Sequence, residues 1–533
     1  MKKELLLMML PAMAIGHTQA EAKAKKVDTS RPNIIFILAD DMGYGDVSGL
    51  NENSKINTPN LDRMVDNGVS FSDAHTSSAV STPSRYGIMT GRYNWRSRLK
   101  SSVIGGYSRH LIPSTRTTMA SLLKRADYNT ACIGKWHLGW DWHIDGDDFD
   151  EAEMDTNRGW SAEAQIDYTK PIKNGPTELG FDYLFGFCGS LDMAPYVWVE
   201  NDMPTAVPDH VTVGENGDFW RKGPTSPDFV HDEVLPTLTD KTIEYIQQVG
   251  KKKDPFFIYL PYPAPHTPIL PTEAWSGKSQ TNKYGDFVMF LDSEVGRILD
   301  VLEQMGIDDN TIVVFTADNG CSTTANFSEL HALDHYPSYI WRGNKADLFE
   351  GGHRVPCMVQ WPAVIEGGKL SNQTICLTDF FATFAEITGL EVAATEGEDS
   401  FSILKTFEDT SYSTPIRDAL IHHSISGEFS IRVGDWKLLA SPSSGGWSAP
   451  NPKHPSVVNG LLPAVQLYNL VDDPGEKNNL EAEYPEKVAE MFELLRKQIG
   501  DGRSTPGSLQ SNEVRYPWTQ LDPVFNYTTK KDE

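Results

Sequence analysis

The stretch that decides the fold is NIIFILADD, residues 33–41, in which a continuous apolar run ends in two aspartates. An apolar run of this length is typical of a strand that is buried on both faces of a sheet. Three further segments share this character, and they are YNTACIGKW (128–136), PFFIYLPY (255–262) and NTIVVFTAD (310–318). We therefore expect these four segments to lie in one mostly parallel sheet.

Segments with the apolar spacing of helices separate these strands, and they are 60–68, 118–127, 238–250 and 283–306. Alternation of this kind predicts an α/β fold in which a large, mostly parallel (mixed) sheet is sandwiched between helices. The stretch 140–232 is rich in Asp, Gly and Pro and is expected to be irregular, and long insertions of this type are usually functional. Within it, 140–155 is a charged run that suits either a solvated loop or contacts with sugar hydroxyls.

The character of the chain changes after about residue 405. Residues 419–441 read as short antiparallel strands with a Gly-Asp turn, and 488–500 form an amphipathic helix pattern. We expect a catalytic domain over 30–405 and a smaller C-terminal α+β subdomain with its tail over 406–533.

The N-terminus has the pattern of a secretory signal peptide over 1–20. Lys2 and Lys3 precede an apolar run that is too short to span a membrane, and Thr18-Gln19-Ala20 resembles a cleavage site. The alternative is a buried first helix. The pattern predicts export across the inner membrane to the periplasm without a stable membrane anchor.

The net charge limits the classes of ligand that the protein can bind, and the cysteine content limits the disulfide bonds and metal clusters that it can form. The 533 residues include 73 acidic and 47 basic ones, a net charge of -26, which argues against nucleic acid as a partner. An anionic substrate would then need a locally positive site. The cysteines are few, odd in number and scattered, so they indicate no disulfide framework or metal cluster and leave one bridge open: Cys132, Cys188, Cys321, Cys357 and Cys376.

Polar side chains follow the predicted strands at the point where each strand ends. Because the carboxyl ends of parallel strands share one edge of a sheet, we expect these side chains to lie together: Asp40, Asp41, Lys135, His137, His266, Asp318 and Asn319. The acids and the amide are hard oxygen ligands that suit Ca²⁺ or Mg²⁺ better than zinc. The alternative is that each acid caps the helix after its strand.

The stretch SSAVSTPSRYGIMTGRY, residues 77–93, has Pro83 in the first turn of a predicted helix, where backbone N–H groups attract anions. Ser81 would lie beside that site, with Arg85 one turn along. A serine hydroxyl is a weak nucleophile without activation. An N-cap serine beside a surface arginine is the alternative, and the residues alone do not decide between the two.

Ser81-Thr82-Pro83-Ser84-Arg85 followed by YGIMTGRY resembles the signature of the type I, formylglycine-dependent sulfatases of the alkaline phosphatase superfamily. The other motifs of that family occur along the chain in the expected order, and they are ADDMGYGD, which precedes the signature, and GKWHLG, PHTP, ADNG and GNKADLFEGGHRVP, which follow it. The resemblance spans about residues 31–490. The stretch GRYNWRSRLKSSVIGGYSRHLI is similar to the arylsulfatase A-like branch.

The resemblance implies a mechanism. Ser81 would be oxidised to Cα-formylglycine by a sulfatase-maturing enzyme before export, and its hydrate would attack the sulfur of a sulfate ester. Ca²⁺ would be held by Asp40, Asp41, Asp318, Asn319 and position 81. Arg85, Lys135 and Lys345 would neutralise the sulfuryl oxygens, while His266 protonates the leaving oxygen and His137 assists release of sulfate.

The implied substrate is a sulfated glycan, cleaved in an exo manner at galactose or N-acetylgalactosamine of mucin or glycosaminoglycan type. Aromatic and acidic loops at 186–202 and 336–343 are expected to line the pocket, and the candidate substrate contacts are Asp192, His335, Arg342 and His353. Two alternatives remain. One is a phosphate-ester hydrolase of the same superfamily, which would use zinc and extra histidines, and the other is an inactive glycan-binding homologue. The i, i+4 pair His331 and His335 has too few further ligands nearby for a zinc site.

Overall fold

A computed structural model describes residues 28–145, 166–215, 218–514 and 518–527. The predicted signal peptide, 1–20, lies outside the described residues, as does most of the charged run 140–155. The strands, numbered in chain order, are β1 (Asn33–Ala39), β2 (Val69–Phe71), β3 (Ala74–His75), β4 (Asn129–Lys135), β5 (Tyr183–Phe187), β6 (Val199–Glu200), β7 (Met203–Pro204), β8 (His210–Thr212), β9 (Gly223–Thr225), β10 (Phe256–Pro261), β11 (Thr311–Ala317), β12 (Cys357–Gln360), β13 (Lys369–Ser371), β14 (Ile375–Cys376), β15 (Leu420–His423), β16 (Phe429–Val433), β17 (Trp436–Leu439) and β18 (Gln466–Asn469).

A ten-stranded mixed sheet has the order β13-β2-β12-β11-β1-β10-β4-β5-β6-β7. Its centre, from β11 to β5, is parallel, and β12 pairs antiparallel with β11. All four strands predicted from apolar runs are in this central part. In β1 every residue after Asn33 is fully buried, as the sequence pattern indicates. The predicted fold class is confirmed.

Two groups of helices cover the sheet. In one, α1 and α4 both pack on α5, and in the other α2, α3 and α8 pack on one another. Phe380 of α8 meets Phe36 of β1 edge to face, with ring centroids 5.2 Å apart. The helices are α1 (Pro59–Asn67), α2 (Ser81–Thr90), α3 (Met119–Lys124), α4 (Val234–Val249), α5 (Lys283–Met305), α6 (Phe327–Ala332), α7 (Glu350–His353), α8 (Asp379–Ile387), α9 (Leu404–Glu408), α10 (Pro455–Val458), α11 (Pro485–Gly500) and α12 (Asp522–Phe525).

The C-terminal part has its own antiparallel sheet, β15-β16-β17-β18, on which α11 packs. Gly434, with φ 56°, makes the predicted Gly-Asp turn between β16 and β17. This agrees with the expected α+β subdomain. The helix α9 crosses the expected boundary at residue 405, and the domain boundaries stay predictions.

The expectation of an irregular 140–232 is only partly met. Strand β5 in this region continues the parallel sheet beside β4, and four short strands follow it. The run that forms β5, YLFGF, is short and contains a glycine, so its period is hard to recognise. All five cysteines are free and buried, so the bridge left open by the sequence is not formed. Among the described residues, none of the helices combines the length and the apolar character needed to cross a lipid bilayer.

A buried polar junction joins the C-terminal sheet to β3 and α7 of the preceding part of the chain. His353 Nδ1 lies 3.0 Å from His75 Nδ1, and Lys437 of β17 donates to His353 Nε2 over 3.1 Å. His75 Nε2 is 2.8 Å from Asp73 at the other end of this chain of hydrogen bonds. His422 of β15 stacks on His353 with ring centroids 3.6 Å apart. The chain of donors and acceptors is satisfied when the histidines are neutral.

Burial lowers the pKa of His75, and burial together with nearby cations or histidines holds the pKa of His353 and His422 well below the usual value. In the unfolded chain these histidines protonate below about pH 6.5, while in the folded state they stay neutral. The unfolded state therefore binds more protons as the pH falls, and stability decreases below about pH 6.5 by up to about 1.4 kcal/mol per pH unit for each histidine.

The free energy of unfolding of the parent should decrease between about pH 8 and about pH 5.5. We predict that this decrease is about 1 kcal/mol smaller in the His422→Asn variant, because one of the buried neutral histidines is absent. Denaturant unfolding at the two pH values measures the difference. Asparagine at the exposed His210 is the matched control and should leave the loss unchanged. Equal losses in parent and His422→Asn would contradict this explanation of the junction.

Candidate active site

The carboxyl ends of the central strands bring the predicted polar residues together. Strands β1 and β11 pair in register from Asn33 with Thr311 to Ala39 with Ala317. The aspartates after each strand therefore meet at one edge, where Asp41 N–H donates to Asp318 Oδ1 over 3.2 Å. Lys135 ends β4 and His266 follows β10, so that both approach the same edge.

The turn after β1 needs special backbone conformations. Asp41 has φ 65°, a left-handed conformation that Asp tolerates better than most residues. A Cβ on Gly43 would lie 2.2 Å from the Pro337 carbonyl oxygen, and one on Gly45 would lie 2.0 Å from the Tyr336 carbonyl oxygen. Only glycine permits this approach, which explains the pattern of ADDMGYGD and brings the 336–343 loop beside the site.

Ser81 is the first residue of α2, whereas the sequence suggested that it lies just before the helix. Its hydroxyl donates to Asp318 Oδ2 over 2.6 Å and lies 3.4 Å from Asp40 Oδ1. The residue is 2% exposed. The alternative of a capping serine is not supported, because Val80 is the N-cap residue and the Ser81 hydroxyl faces the carboxylates.

Arg85 is fully buried, so the alternative of a surface arginine is excluded. Its Nε and Nη2 donate to Asp318 Oδ2 over 3.1 and 2.9 Å, and Nη2 lies 3.4 Å from Asp40. Burial works against its charge, but Asp318 and Asp40 outweigh burial and raise its pKa. The guanidinium is therefore a fixed positive charge within the site.

Two lysines complete the positive lining. Lys135 Nζ donates to Asp40 Oδ2 over 2.5 Å and to Ser190 Oγ over 3.0 Å. Lys345 Nζ reaches both oxygens of Asp41, at 2.6 and 2.8 Å. Burial disfavours the charge of each, yet Asp41 and Asp40 raise the pKa of Lys345, whereas burial dominates and lowers the pKa of Lys135.

The carboxylates perturb one another strongly. Burial and the neighbouring Asp40 raise the pKa of Asp318. Burial also opposes ionisation of Asp40, but Lys135, His266 and Arg85 hold its pKa well below the usual value. Crowding of acids is costly unless positive charge compensates it. The site is therefore built to hold cations among its oxygen atoms.

The oxygen atoms of this edge fit a hard divalent cation. Asn319 donates its amide hydrogen to Asp41 Oδ1 over 2.7 Å, while its Oδ1 is buried without a hydrogen-bond partner. Ligand atoms of Asp40, Asp41 and His266 all lie within 4.8 Å of one another. An unused amide oxygen beside three carboxylates is the donor set that Ca²⁺ or Mg²⁺ prefers.

Two histidines lie at this edge in different settings. His266 is partly exposed, with Nδ1 against the Thr267 carbonyl and Nε2 3.7 Å from Asp41. His137 is buried, and its Nε2 donates to the Ile104 carbonyl over 2.8 Å, which leaves Nδ1 without a partner. Burial, Lys135 and Arg85 hold the pKa of His137 well below the usual value. His137 is thus a neutral imidazole with a free lone pair.

Ser190 is the residue that the sequence interpretation missed. Its hydroxyl accepts from Lys135 and lies 3.5 Å from His266 Nδ1, so it links two predicted site residues. It follows β5, whose carboxyl end lies at the same edge as that of β4. The loop 186–202 that contains Ser190 was expected to line the pocket, and recognition of YLFGF as a strand would have directed attention to the first residues after it.

Asp192 lies in the same segment, two residues beyond Ser190. Its Oδ2 forms an ion pair with Arg221, and its Oδ1 is buried without a partner. Burial alone would raise its pKa, but His266, Arg221 and Lys135 lower the pKa instead. These neighbours place Asp192 beside the carboxyl ends of the central strands (the catalytic edge in the proposal below), and its role as a substrate contact stays a prediction.

The other three predicted substrate contacts are engaged with protein groups. His335 is fully buried, with Nε2 2.8 Å from Asp46, and this bond rather than a zinc ion or a substrate holds it. His353 is fully buried in the polar junction with the C-terminal sheet. The Arg342 guanidinium donates to the carbonyls of Glu476 and Ala449, over 2.7 and 3.1 Å. The side chains of these three residues thus hold parts of the fold together, and their role as substrate contacts stays a prediction.

Comparison with known proteins agrees with this geometry. A family model described as Sulfatase matches residues 32–390. The chain belongs to the sulfatase family. An N-acetylgalactosamine-6-O-sulfatase of Bacteroides thetaiotaomicron is 31% identical over 536 residues, 92% of this chain and 98% of the relative. An N-acetylgalactosamine-6-sulfatase of Mus musculus is 29% identical over 70% of this chain and 66% of its own length.

A solved sulfatase structure from work on glycosaminoglycan metabolism by Bacteroides thetaiotaomicron has the same fold, with a TM-score of 0.73 and 30% identity. It covers 88% of this sulfatase and 99% of that chain. The predicted family and the enzyme class, a sulfuric ester hydrolase, are confirmed. The individual site residues remain assignments that rest on the contacts of the catalytic edge.

We predict that Lys135→Met and Lys345→Met each reduce turnover of a sulfate ester by about 10²-fold or more, because each lysine would face charge that develops on the sulfuryl oxygens. Steady-state kinetics measures the loss, and circular dichroism checks the fold. The exposed Lys251→Met is the matched control and should retain full activity. A folded variant with full activity would remove that lysine from the site.

Proposed function

We propose that this sulfatase releases sulfate from the 6-position of N-acetylgalactosamine or galactose at the end of a sulfated glycan. The observation that carries the proposal is the cluster of three buried cations and three buried carboxylates around the Ser81 hydroxyl. Such a cluster gives an acidic protein a local site for an anionic ester. The names of the relatives support the sugar and the position of the sulfate.

Position 81 is the proposed nucleophile. Oxidation of Ser81 to Cα-formylglycine supplies an aldehyde whose hydrate has one hydroxyl to attack sulfur and a second to expel sulfate. Ser81 is 2% exposed in the folded chain, so a modifying enzyme has no access to it after folding. This burial supports maturation before export, in line with the signal-peptide pattern and the proposed periplasmic location.

A calcium ion is the proposed cofactor, held by oxygens of Asp40, Asp41, Asp318 and Asn319 together with position 81. It supplies positive charge to the sulfuryl oxygens and lowers the cost of crowding the three carboxylates. The Asn319 Oδ1 atom, which has no hydrogen-bond partner, supports this assignment. A buried amide oxygen without a partner costs free energy unless it coordinates a ligand.

Three cationic side chains bind and polarise the sulfate group in this proposal. Arg85 is anchored by a further hydrogen bond from Nη1 to the Lys135 carbonyl, over 2.9 Å, which fixes its guanidinium. Lys135 and Lys345 lie against different carboxylates, so they approach the site from two sides. Pre-arranged charge of this kind stabilises the transition state without reorganisation.

Two histidines divide the proton transfers. His266, at the more exposed side, donates a proton to the sugar oxygen as the S–O bond breaks. His137, neutral and with Nδ1 free, accepts the proton that must leave position 81 when sulfate is released. The overall reaction consumes one water and yields the sugar alcohol and sulfate.

The proposed sugar contact is the Asp192 and Arg221 pair. Asp192 Oδ1 has no partner and accepts a sugar hydroxyl, while Arg221, about a quarter exposed, is available to donate to a second oxygen. A buried carboxylate oxygen left unpaired discriminates strongly against a sugar that lacks the matching hydroxyl.

The function is tested by sulfate release from defined monosaccharides that carry sulfate at the 6-, 4- or 3-position, with glucosamine 6-sulfate as the configurational control. We expect the 6-sulfates of N-acetylgalactosamine and galactose to be the preferred substrates. Chelation should abolish activity, and Ca²⁺ should restore it better than Zn²⁺, because the ligand set is built from oxygens.

Preference for another sulfate position would overturn the proposed regiochemistry alone. Restoration by Zn²⁺ and not by Ca²⁺ would overturn the calcium assignment. Release of phosphate from the matching sugar phosphates in place of sulfate would contradict the function itself.

His266→Ala should reduce turnover of sugar sulfates by about 10²–10⁴-fold and should reduce turnover of an activated aryl sulfate much less. The reason is that a sugar alkoxide needs a proton to leave, whereas a nitrophenolate does not. A graded series of leaving groups measures this selectivity. Equal losses across the series would mean that His266 binds sulfate or orients Asp41 and is not the proton donor.

A further inference from the structure

A second cavity adjoins the active site on the side of the proposed proton donor. It has a volume of about 330 Å³, and its lining includes Phe219, Thr267, Asn282, Lys283 and Glu329. Pockets of this size hold small ligands such as a single sugar ring. The proposed reaction at position 81 makes no use of this cavity.

The cavity shares walls with the catalytic edge. Thr267, which lines it, accepts the hydrogen bond from His266 Nδ1. Tyr284 lines it as well, and its hydroxyl reaches the Asp41 carbonyl over 3.3 Å. A glycan whose leaving oxygen lies at His266 would therefore extend from the catalytic edge toward this cavity.

The proposed sugar contacts lead to the same place. The Arg221 guanidinium, which pairs with Asp192, also lies over the ring of Phe219, 5.4 Å from its centroid. Phe219 is 55% exposed, an unusual position for a large aromatic ring that lines a cavity. Arg221 therefore contacts both the proposed sugar contact Asp192 and the cavity residue Phe219.

The charge of the cavity restricts its occupant. Lys283 is neutralised by an ion pair with Asp218, and Glu329 accepts from the amides of Asn282 and Asn326 over 3.2 and 3.1 Å. With two acids and one base in its lining, the cavity has an excess negative charge. A carboxylate-bearing sugar would be repelled there, whereas a neutral sugar finds an aromatic face and polar groups.

We propose that this cavity binds the sugar that follows the sulfated one and selects a neutral hexose or N-acetylhexosamine over a uronic acid. The inference rests on the proposed function and narrows its substrate to glycans in which the sulfated sugar is linked to a neutral neighbour. Phe219 stacks on that neighbour and Glu329 excludes an acidic one.

The test compares three substrates that carry the same 6-sulfated sugar: the monosaccharide, a disaccharide with a neutral N-acetylhexosamine, and a disaccharide with a uronic acid. We expect kcat/KM to be about tenfold higher for the neutral disaccharide than for the monosaccharide, and lowest for the acidic one. Phe219→Ala should remove the gain and leave the monosaccharide rate unchanged. Glu329→Gln should raise kcat/KM for the acidic disaccharide several-fold relative to kcat/KM for the neutral disaccharide.

Tyr484→Ala removes an aromatic ring of similar exposure in the C-terminal subdomain and is the matched control, with no expected effect on any of the three rates. Equal rates for the monosaccharide and the neutral disaccharide, or a preference for the uronic acid, would overturn the inference while the proposed function stands. Sulfate release from none of the three would contradict the proposed function instead. Calorimetric binding of the unsulfated neutral disaccharide to the parent and to Phe219→Ala then tests the cavity independently, and equal affinities would overturn it.

Discussion

The structure depends on the pairing of buried carboxylates with buried cations at the carboxyl edge of the central sheet. Asp40, Asp41 and Asp318 are nearly inaccessible, and each contacts an arginine or a lysine. A charge that loses its partner in such a setting costs several kcal/mol, so every member requires the others. The same arrangement that makes the edge costly to build makes it suited to an anionic ester and a divalent cation.

The C-terminal subdomain contributes to this edge through the loop that carries Lys345. Ala346 N–H donates to the Ala79 carbonyl, two residues before Ser81, and Ile425 N–H donates to the Ala346 carbonyl. Asp347 accepts from the backbone N–H groups of Trp447 and Ser448, over 2.7 and 3.0 Å. The loop that carries Lys345 is thus held between the start of α2 and the small subdomain, so the subdomain helps to position a cation of the site although it supplies none of the three carboxylates.

Features that arise from local patterns could be predicted from the sequence, whereas features that depend on packing between distant segments could not. The apolar runs at 33–41 and 310–318 each end in an acid, and each run with its acid lies within nine residues. These local patterns were enough to predict β1, β11 and the edge of the sheet where their acids meet. Ser190 was not singled out within the 186–202 loop, because the strand before it, β5, is short and contains a glycine. The structural partners of His353 and Arg342 could not be predicted, because nothing near these residues in sequence indicates Lys437 or Glu476.

The most direct test of the central claim is the mass of the peptide that contains residue 81, measured on the same preparation whose sulfate release is assayed. If position 81 is the nucleophile in its oxidised form, active protein has a residue there that is lighter than serine by two hydrogen atoms, or its hydrate. Activity should then scale with the modified fraction, and protein with unmodified Ser81 should be nearly inactive although its fold is intact. Full sulfate release by a preparation in which position 81 is entirely serine would contradict the proposed chemistry.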